Sequence, residues 1–187
     1  MKKTLTALTL AVCAISSSQA APVQWTVGAG GNGNWYEYVA ASVDWHGARA
    51  GALASSFAGE SGYLATLTSA AENMFASLLA GGGGALAWIG LTDQAVEGVY
   101  RWIDGPEGGQ ITGYLNWNGG EPNNCCGGED YVHTNWGGAG RWNDHGGPGN
   151  PGQRNGYLVE YNVPEPMTLA LVASALLAGA LTRRRRA

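Results

Sequence analysis

The sequence predicts an α+β fold. Two segments with helical spacing, within residues 44–57 and 69–80, precede most of the short runs that have strand character. Such segregation of helices and strands is typical of α+β domains. A long stretch rich in glycine, asparagine, proline and tryptophan, residues 105–156, lies before the last strand. Long irregular segments of this kind are often functional, so a site is expected there.

The first predicted strands are QWTV, from residue 24, and WYEYVA, from residue 35, because both alternate apolar and polar residues. The intervening GAGGNG, residues 28–33, formally matches the glycine pattern of dinucleotide-binding proteins. That pattern requires a helix after it, whereas a strand-like run follows here. The segment is therefore interpreted as a glycine-rich turn.

Two helices are predicted next along the chain. The first is the alanine-rich DWHGARAGALASSF, which begins at Asp44. The second is SAAENMFASLLA, in which Ser69 and Glu72 have the spacing of a capping box. Its buried stripe is predicted to consist of four apolar residues: Met74, Phe75, Leu78 and Leu79.

The remaining strands are predicted from short apolar runs. GYLATL lies between the helices, and ALAWIGL is a continuous apolar run typical of a buried strand. GVYRWIDG is expected to be its neighbour. Two short strands are predicted near residues 130–134 and 140–143, and GYLVEY closes the domain, which is assigned to residues 21–162.

The two ends of the chain differ in composition from its middle. Residues 1–20 carry two lysines, an apolar run and a small-residue end, which is the layout of a cleaved secretory signal. Residues 163–187 contain a Pro-Glu-Pro stretch, an apolar run and four arginines. The apolar run is short for a spanning helix, which usually needs ~20 residues. The arginines should stay cytoplasmic by the positive-inside bias.

The C-terminal segment resembles a PEP-CTERM sorting signal, because its three parts occur in the same order. In that family of Gram-negative surface proteins, the membrane protease exosortase removes the helix and the basic tail. The resemblance implies export through signal peptidase, transient anchoring in the inner membrane, and cleavage near residues 164–166. It also implies a final location at the cell surface or in an exopolysaccharide matrix. A plain tail anchor is the alternative.

The middle of the chain is strongly acidic. Without the six basic residues and one acidic residue of the two ends, residues 21–163 keep 4 basic and 13 acidic residues, a formal charge of −9. An acidic surface repels phosphate backbones, so nucleic acid is not an expected partner. Clusters of acidic side chains do suit a cation.

The loop EPNNCCGGED, residues 121–130, has the composition of a calcium site. Calcium takes six to eight oxygen ligands from carboxylates, amide carbonyls and water. Together with the downstream WND, the loop supplies three carboxylates and two amides, too many oxygens for a typical zinc site. These candidate ligands are Glu121, Asn123, Glu129, Asn143 and Asp144. A cis peptide bond before Pro122 would aim its neighbours at one ion.

The adjacent cysteines Cys125 and Cys126 have several possible states. A disulfide between neighbours is preferred, and the alternatives are a bridge between two molecules or free thiols. A zinc site with His133 and His145 is disfavoured, because adjacent cysteines span a tetrahedron poorly.

WIGL at 88–91, EPN at 121–123, GED at 128–130 and WND at 142–144 together resemble the C-type lectin domain. The resemblance runs from about Trp35 to Tyr161. It implies a C-type lectin-like fold with two helices, two small antiparallel sheets and a long calcium-binding loop. In that family, EPN accompanies mannose- or glucose-type sugars, whose 3- and 4-hydroxyls are both equatorial.

The resemblance also implies residue roles. The five candidate ligands would hold calcium and contact the carbohydrate: Glu121, Asn123, Glu129, Asn143 and Asp144. Four other residues would form an auxiliary calcium site: Asp93, Glu97, Asn124 and Asp130. The chain departs from the family at its disulfides, since Val159 and Tyr131 stand where cysteines are usual. Because such a loss commonly costs ~2–5 kcal/mol, tryptophan packing and calcium are expected to contribute more stability here.

The preferred interpretation is a calcium-dependent carbohydrate-binding domain at a bacterial surface. The alternative is a structural or protein-binding domain in which calcium only orders the loop. An enzyme, such as a glycoside hydrolase with paired carboxylates, is not expected because the acidic residues are assigned to metal. Trp117 and Trp136 are candidates for a sugar-stacking face, although core packing is preferred for each.

Overall fold

The structure, a computed structural model, describes residues 20–147 and 152–164. The predicted secretory signal at 1–20 and sorting signal at 163–187 lie almost entirely outside the described residues. Among the residues that are described, no helix has the length and apolar character needed to cross a membrane.

The described residues form two helices and ten strands, as expected for an α+β fold. The helices are α1 (Trp45–Ala54) and α2 (Ala70–Leu79). The strands are β1 (Val23–Gln24), β2 (Trp35–Val43), β3 (Ser56–Phe57), β4 (Glu60–Ser61), β5 (Tyr63–Leu64), β6 (Ala87–Thr92), β7 (Arg101–Trp102), β8 (Tyr131–Thr134), β9 (Asn143–His145) and β10 (Arg154–Tyr161). The glycine-rich segment after β1 begins with a short 3-10 turn and leads into β2, so it is not followed by a helix.

Eight strands form one sheet in the order β1-β2-β10-β6-β8-β9, with β5 also on β10 and β7 also on β6. Strands β3 and β4 form a separate pair. Strand β10 runs antiparallel to β2 but parallel to β6. The larger sheet is therefore mixed rather than purely antiparallel. Since β10 pairs with β2, the beginning and end of the domain lie side by side.

Polar caps begin both helices. The Asp44 carboxylate accepts a hydrogen bond from the Gly47 amide at α1, and the Ser69 hydroxyl oxygen accepts one from the Glu72 amide at α2. The predicted capping box is only half formed. The Glu72 carboxylate accepts from the Thr68 amide, one residue before the cap, at 2.7 Å.

The predicted buried stripe of α2 is only half correct, because Phe75 and Leu79 are partly buried against the core while the other two residues are exposed. Met74 and Leu78 are 44% and 59% exposed, and the buried residues of α2 are Glu72, Asn73, Ala76 and Ser77. The physical reason is a polar anchor on the inner face. The Asn73 side chain donates to the carbonyl of Gly140 and accepts from the indole N–H of Trp142, at 2.9 and 2.8 Å.

Strand β6 is buried along its whole length, as its apolar sequence predicts. It separates two core clusters, one containing Leu91 and Trp142 and the other containing Trp45 and Trp88. Gly90 is required in this strand, because a Cβ there would lie 2.6 Å from the carbonyl oxygen of Leu64. Val159, in place of a family cysteine, is fully buried in the second cluster.

The β8–β9 hairpin positions the predicted ligands. Val132 lies opposite Asp144, and His133 lies opposite Asn143. This register places Glu129, two residues before β8, beside the side chain of His145 at the end of β9. The predicted strand at 140–143 is thus displaced toward residues 143–145.

Candidate functional site

The EPN segment is fixed to β9 by the fully buried carboxylate of Asp144. Its Oδ1 accepts a hydrogen bond from the amide of Asn123 at 3.2 Å, and its Oδ2 accepts one from the amide of Asn124 at 2.9 Å. The Glu121–Pro122 peptide bond is cis. Backbone amides therefore hold the loop against the carboxylate that ends the WND motif.

Glu129 is buried and connects three parts of the site. Its Oε2 accepts from the amide of Cys125 at 3.0 Å, and its Oε1 lies 3.1 Å from Nδ1 of His145. Burial and the charge of Arg154 lower the pKa of His145 to about 4. The imidazole is therefore neutral at pH 7, and its contact with Glu129 is a hydrogen bond rather than an ion pair.

Asn143 is oriented by a buried histidine. Its Nδ2 lies 3.2 Å from Nε2 of His133, while Nδ1 of His133 lies 3.3 Å from the carbonyl of Thr134. Burial lowers the pKa of His133 to about 3, so the ring is neutral with its proton assigned to Nδ1. Nε2 then accepts from the Asn143 amide, which leaves the Asn143 carbonyl oxygen as its metal-binding atom.

Three carboxylates share this region, those of Glu121, Glu129 and Asp144, and the charge of Arg154 acts on that of Glu129. Oε2 of Glu121 is buried and has no hydrogen-bond partner. Burial raises the pKa of Glu121, and the nearby charges of Asp144 and Glu129 raise it further. Carboxylate and amide oxygens of this kind are calcium ligands, so the residues present fit calcium. Within residues 20–147 and 152–164, no group of three or more His, Cys, Asp or Glu side chains forms a metal cluster.

A cavity of about 320 Å³ opens over these residues. Its lining comprises Glu121, Asn123, Cys125, Cys126, Glu129, Trp136, Asn143, His145 and Arg154. Trp136 is 42% exposed at this cavity, so the expectation of core packing is wrong for it. Trp117 is half-buried and packs against Tyr100 and Trp142, as core packing predicts.

Cys125 and Cys126 are joined by a disulfide bond in the wall of the cavity. His133 and His145 hydrogen-bond to Asn143 and Glu129, and the two sulfur atoms are bonded to each other. This arrangement does not support the zinc alternative.

Three of the residues assigned to the auxiliary calcium site, Asp93, Glu97 and Asp130, interact electrostatically. Asp93 is buried, its Oδ2 accepts from the amide of Gly98 at 2.8 Å, and its Oδ1 is buried without a partner. Burial raises the pKa of Asp93 to about 6, with Glu97 and Asp130 adding to the effect. The side-chain oxygen of Asn124, the fourth assigned residue, already accepts a hydrogen bond from the backbone amide of Glu129 at 2.7 Å.

Arg154 is a residue of the site that the sequence motifs do not indicate. The side chain lines the cavity, with its guanidinium 5.4 Å from the Trp88 ring centroid. Burial lowers its pKa to about 10, which still leaves it charged at pH 7. The sequence feature that could have indicated Arg154 is the rarity of such residues, since only four basic residues occur in the acidic middle of the chain.

Comparisons with known proteins agree with this architecture. Residues 55–147 match the family model of the lectin C-type domain. The chain is 37% identical to halomucin of Haloquadratum walsbyi over 139 residues, which cover 70% of this chain and 1% of halomucin. It is 50% identical to the low affinity immunoglobulin epsilon Fc receptor of Mus musculus over 58 residues, which cover 31% of this chain and 16% of the receptor. The chain thus spans a small fraction of these relatives' length.

Among solved structures, the cow C-type carbohydrate-recognition domain of CD23, determined in the presence of GlcNAc2Man3 oligosaccharide, is 27% identical with a TM-score of 0.56. The match covers 71% of this chain and 90% of that domain. The herring type II antifreeze protein is 19% identical, with a TM-score of 0.55 over 71% of this chain and 94% of that protein. That second likeness shows the fold alone.

Proposed function

Because this chain contains a C-type lectin domain, we propose that it binds carbohydrate through a calcium ion. The proposed ligands are Glu121, Asn123, Glu129, Asn143 and Asp144. The observation that carries the proposal is the buried, unpartnered Oε2 of Glu121 beside the carboxylates of Asp144 and Glu129. A divalent cation would satisfy this atom and remove the repulsion among the three charges.

Bound calcium would supply open coordination positions for two neighbouring sugar hydroxyls. The residues of the chain complete the recognition of that diol. The Asn123 and Asn143 amides offer N–H donors, and the Glu121 and Glu129 carboxylates accept hydrogen bonds from the sugar hydroxyls. Asp144 positions the loop through the amides of Asn123 and Asn124.

The carbohydrates that we propose the site binds are mannose- or glucose-type sugars with equatorial 3- and 4-hydroxyls. The EPN sequence supports this class through the family resemblance. A single site that contacts two hydroxyls binds weakly, so useful avidity requires several copies on a surface. C-type lectin domains are in general binding modules, and no catalytic role is proposed here.

The proposed setting is the surface or exopolysaccharide matrix of a Gram-negative bacterium. Support comes from the terminal segments, which have the layout of a secretory signal and a PEP-CTERM tail. Signal peptidase and exosortase would then process the chain during export. The C-terminal sorting helix would provide its only membrane contact before cleavage.

The experiment passes the purified protein over mannose-agarose in calcium and then elutes with a chelator. Retention in calcium and release by the chelator are expected. Retention that the chelator leaves unchanged would contradict the calcium mechanism. The double substitution Glu121→Gln with Asn123→Asp is expected to shift preference toward galactose, and an unaltered sugar profile would contradict the assigned residues.

A second candidate function is structural or protein binding, with calcium ordering the loop. The unpartnered Oδ1 of the buried Asp93 favours it, because calcium there would stabilise the loop without any sugar. A glycan array with no calcium-dependent signal, together with calcium-induced thermal stabilisation, would favour this function over carbohydrate binding.

A further inference from the structure

Arg154 places a positively charged side chain in the cavity that is proposed to hold calcium. It begins β10 and lines the same cavity as Glu129 and His145. The proposed calcium ligands already attract a divalent ion, and a second positive charge nearby repels that ion. Arg154 interacts electrostatically with Glu129, but among the described residues it forms no ion pair with a carboxylate. Its charge can therefore also act on an anionic ligand in the cavity.

The guanidinium has hydrogen-bond donors to spare. Its Nη1 donates to the carbonyl of Gln153 at 2.8 Å, while its Nε is buried without a partner. No ion pair joins Arg154 to a carboxylate in the described part of the chain. Arg49 provides the contrast, since its guanidinium is held by both carboxylate oxygens of Asp104 at 2.7 and 2.8 Å.

An aromatic ring and a backbone carbonyl contact this guanidinium, while the charge of Glu129 acts on it without a direct ion pair. Trp88 contacts it by a cation–π interaction and stacks with His145 at 6.3 Å between ring centroids. A row of ring contacts continues from His145 through His133 to Trp136, at 6.2 and 6.0 Å. The cavity thus has a partly exposed tryptophan in one part of its wall and an unpaired cation in another.

We propose that Arg154 makes this cavity prefer sugars that carry an acidic group beside the diol. The inference rests on the proposed function, because calcium would hold the diol while Arg154 meets the anion. A carboxylate or a sulfate ester accepts charge-assisted hydrogen bonds from a guanidinium. The anion also offsets the repulsion between the arginine and the calcium ion.

The test uses sugars that differ only at carbon 6. Methyl α-D-glucoside, methyl α-D-glucuronide and methyl α-D-glucoside 6-sulfate are titrated into the purified protein with calcium, and tryptophan fluorescence reports binding. The glucuronide or the sulfate is expected to bind about tenfold more tightly than the glucoside, because hydrogen bonds to charged groups are the stronger ones. The two acidic arms show whether a carboxylate or a sulfate is preferred. The preference should shrink as salt rises.

Three variants isolate the role of Arg154. Arg154→Gln is expected to reduce the ratio of acidic to neutral affinity to near one, while Arg154→Lys keeps part of it. Arg101→Gln removes the same charge from a residue outside this cavity and is expected to retain the full ratio. Thermal unfolding of each variant establishes that it is folded.

The outcomes separate this inference from the proposed function. Equal binding of glucoside and both acidic sugars to the unaltered protein would overturn the inference and leave calcium-dependent sugar binding intact. A preference that survives Arg154→Gln, or disappears equally in Arg101→Gln, would also overturn it. Absence of calcium-dependent binding for all three sugars would overturn the proposed function, and the inference with it.

Discussion

The backbone amide of Cys125 donates a hydrogen bond to the carboxylate of Glu129, with 3.0 Å between the nitrogen and Oε2. The same amide lies 3.0 Å from the side-chain oxygen of Asn123. The cysteine pair is therefore tied to two of the proposed calcium ligands. The conformation of the Cys125–Cys126 segment is therefore coupled to the positions of Asn123 and Glu129.

Replacing Cys125 and Cys126 by serine is expected to lower calcium affinity several-fold. Without the disulfide, the free loop has more conformational freedom to lose when its ligands are ordered. Calcium titration read by tryptophan fluorescence measures the change. A thiol reductant should weaken calcium binding by the unaltered protein and leave the double variant unaffected. Equal calcium affinity with and without the disulfide would contradict this coupling.

Glu160 is expected to make stability depend on pH. Its carboxyl is 1% exposed, and burial raises its pKa from 4.5 to about 7, with the charge of Glu72 adding to the shift. The folded state then binds this proton more tightly than the unfolded chain. The stability from this group is full below about pH 4.5 and is lost as pH rises through 7, by on the order of 3 kcal/mol.

Glu160→Gln is expected to flatten the change in unfolding free energy between pH 5 and 7.5. The comparison is the difference between this variant and the unaltered protein, because other buried carboxyls titrate in both. Glu60→Gln, at an exposed position, serves as the control and should keep the original slope. A Glu160→Gln profile parallel to that of the unaltered protein would contradict the assignment.

Asn73→Ala is expected to destabilise the fold by about 2 kcal/mol. The change leaves the buried indole N–H of Trp142 and the carbonyl of Gly140 without their partners, and unsatisfied buried groups are costly. Met74→Ala, on the exposed face of the same helix, should cost much less. Urea unfolding of both variants measures the difference. A larger loss for Met74→Ala would contradict the exposed position of Met74 and the role assigned to Asn73.

Asp93→Asn is expected to abolish calcium binding at the proposed auxiliary site and to leave the proposed sugar-binding site intact. The buried, unpartnered Oδ1 of Asp93 is the atom that an ion would satisfy, and an amide lacks the charge to hold it. Isothermal titration at pH 7.5, above the pKa of about 6, measures the stoichiometry. Affinity of this site should fall as pH drops below 6, because the carboxyl then binds a proton. Unchanged stoichiometry in the variant would exclude Asp93 as a ligand.

The elements with the strongest local patterns were predictable. The continuous apolar run of β6 and the polar caps of both helices are encoded by residues close together in the chain. The face of α2 was not, because its rotation depends on Asn73 meeting Trp142 from a distant segment. Hydrophobic periodicity cannot reveal that a polar residue has a buried partner.

The sequence by itself determined which residue types could hold calcium, since carboxylates and amides at EPN, GED and WND define the donor chemistry. The tertiary structure alone decided their surroundings. The β8–β9 register sets Glu129 beside β9, and the start of β10 brings Arg154 over Trp88 at the cavity. The physical reason is that ligand chemistry belongs to individual side chains, whereas burial, repulsion and an unpaired charge depend on which distant segments meet.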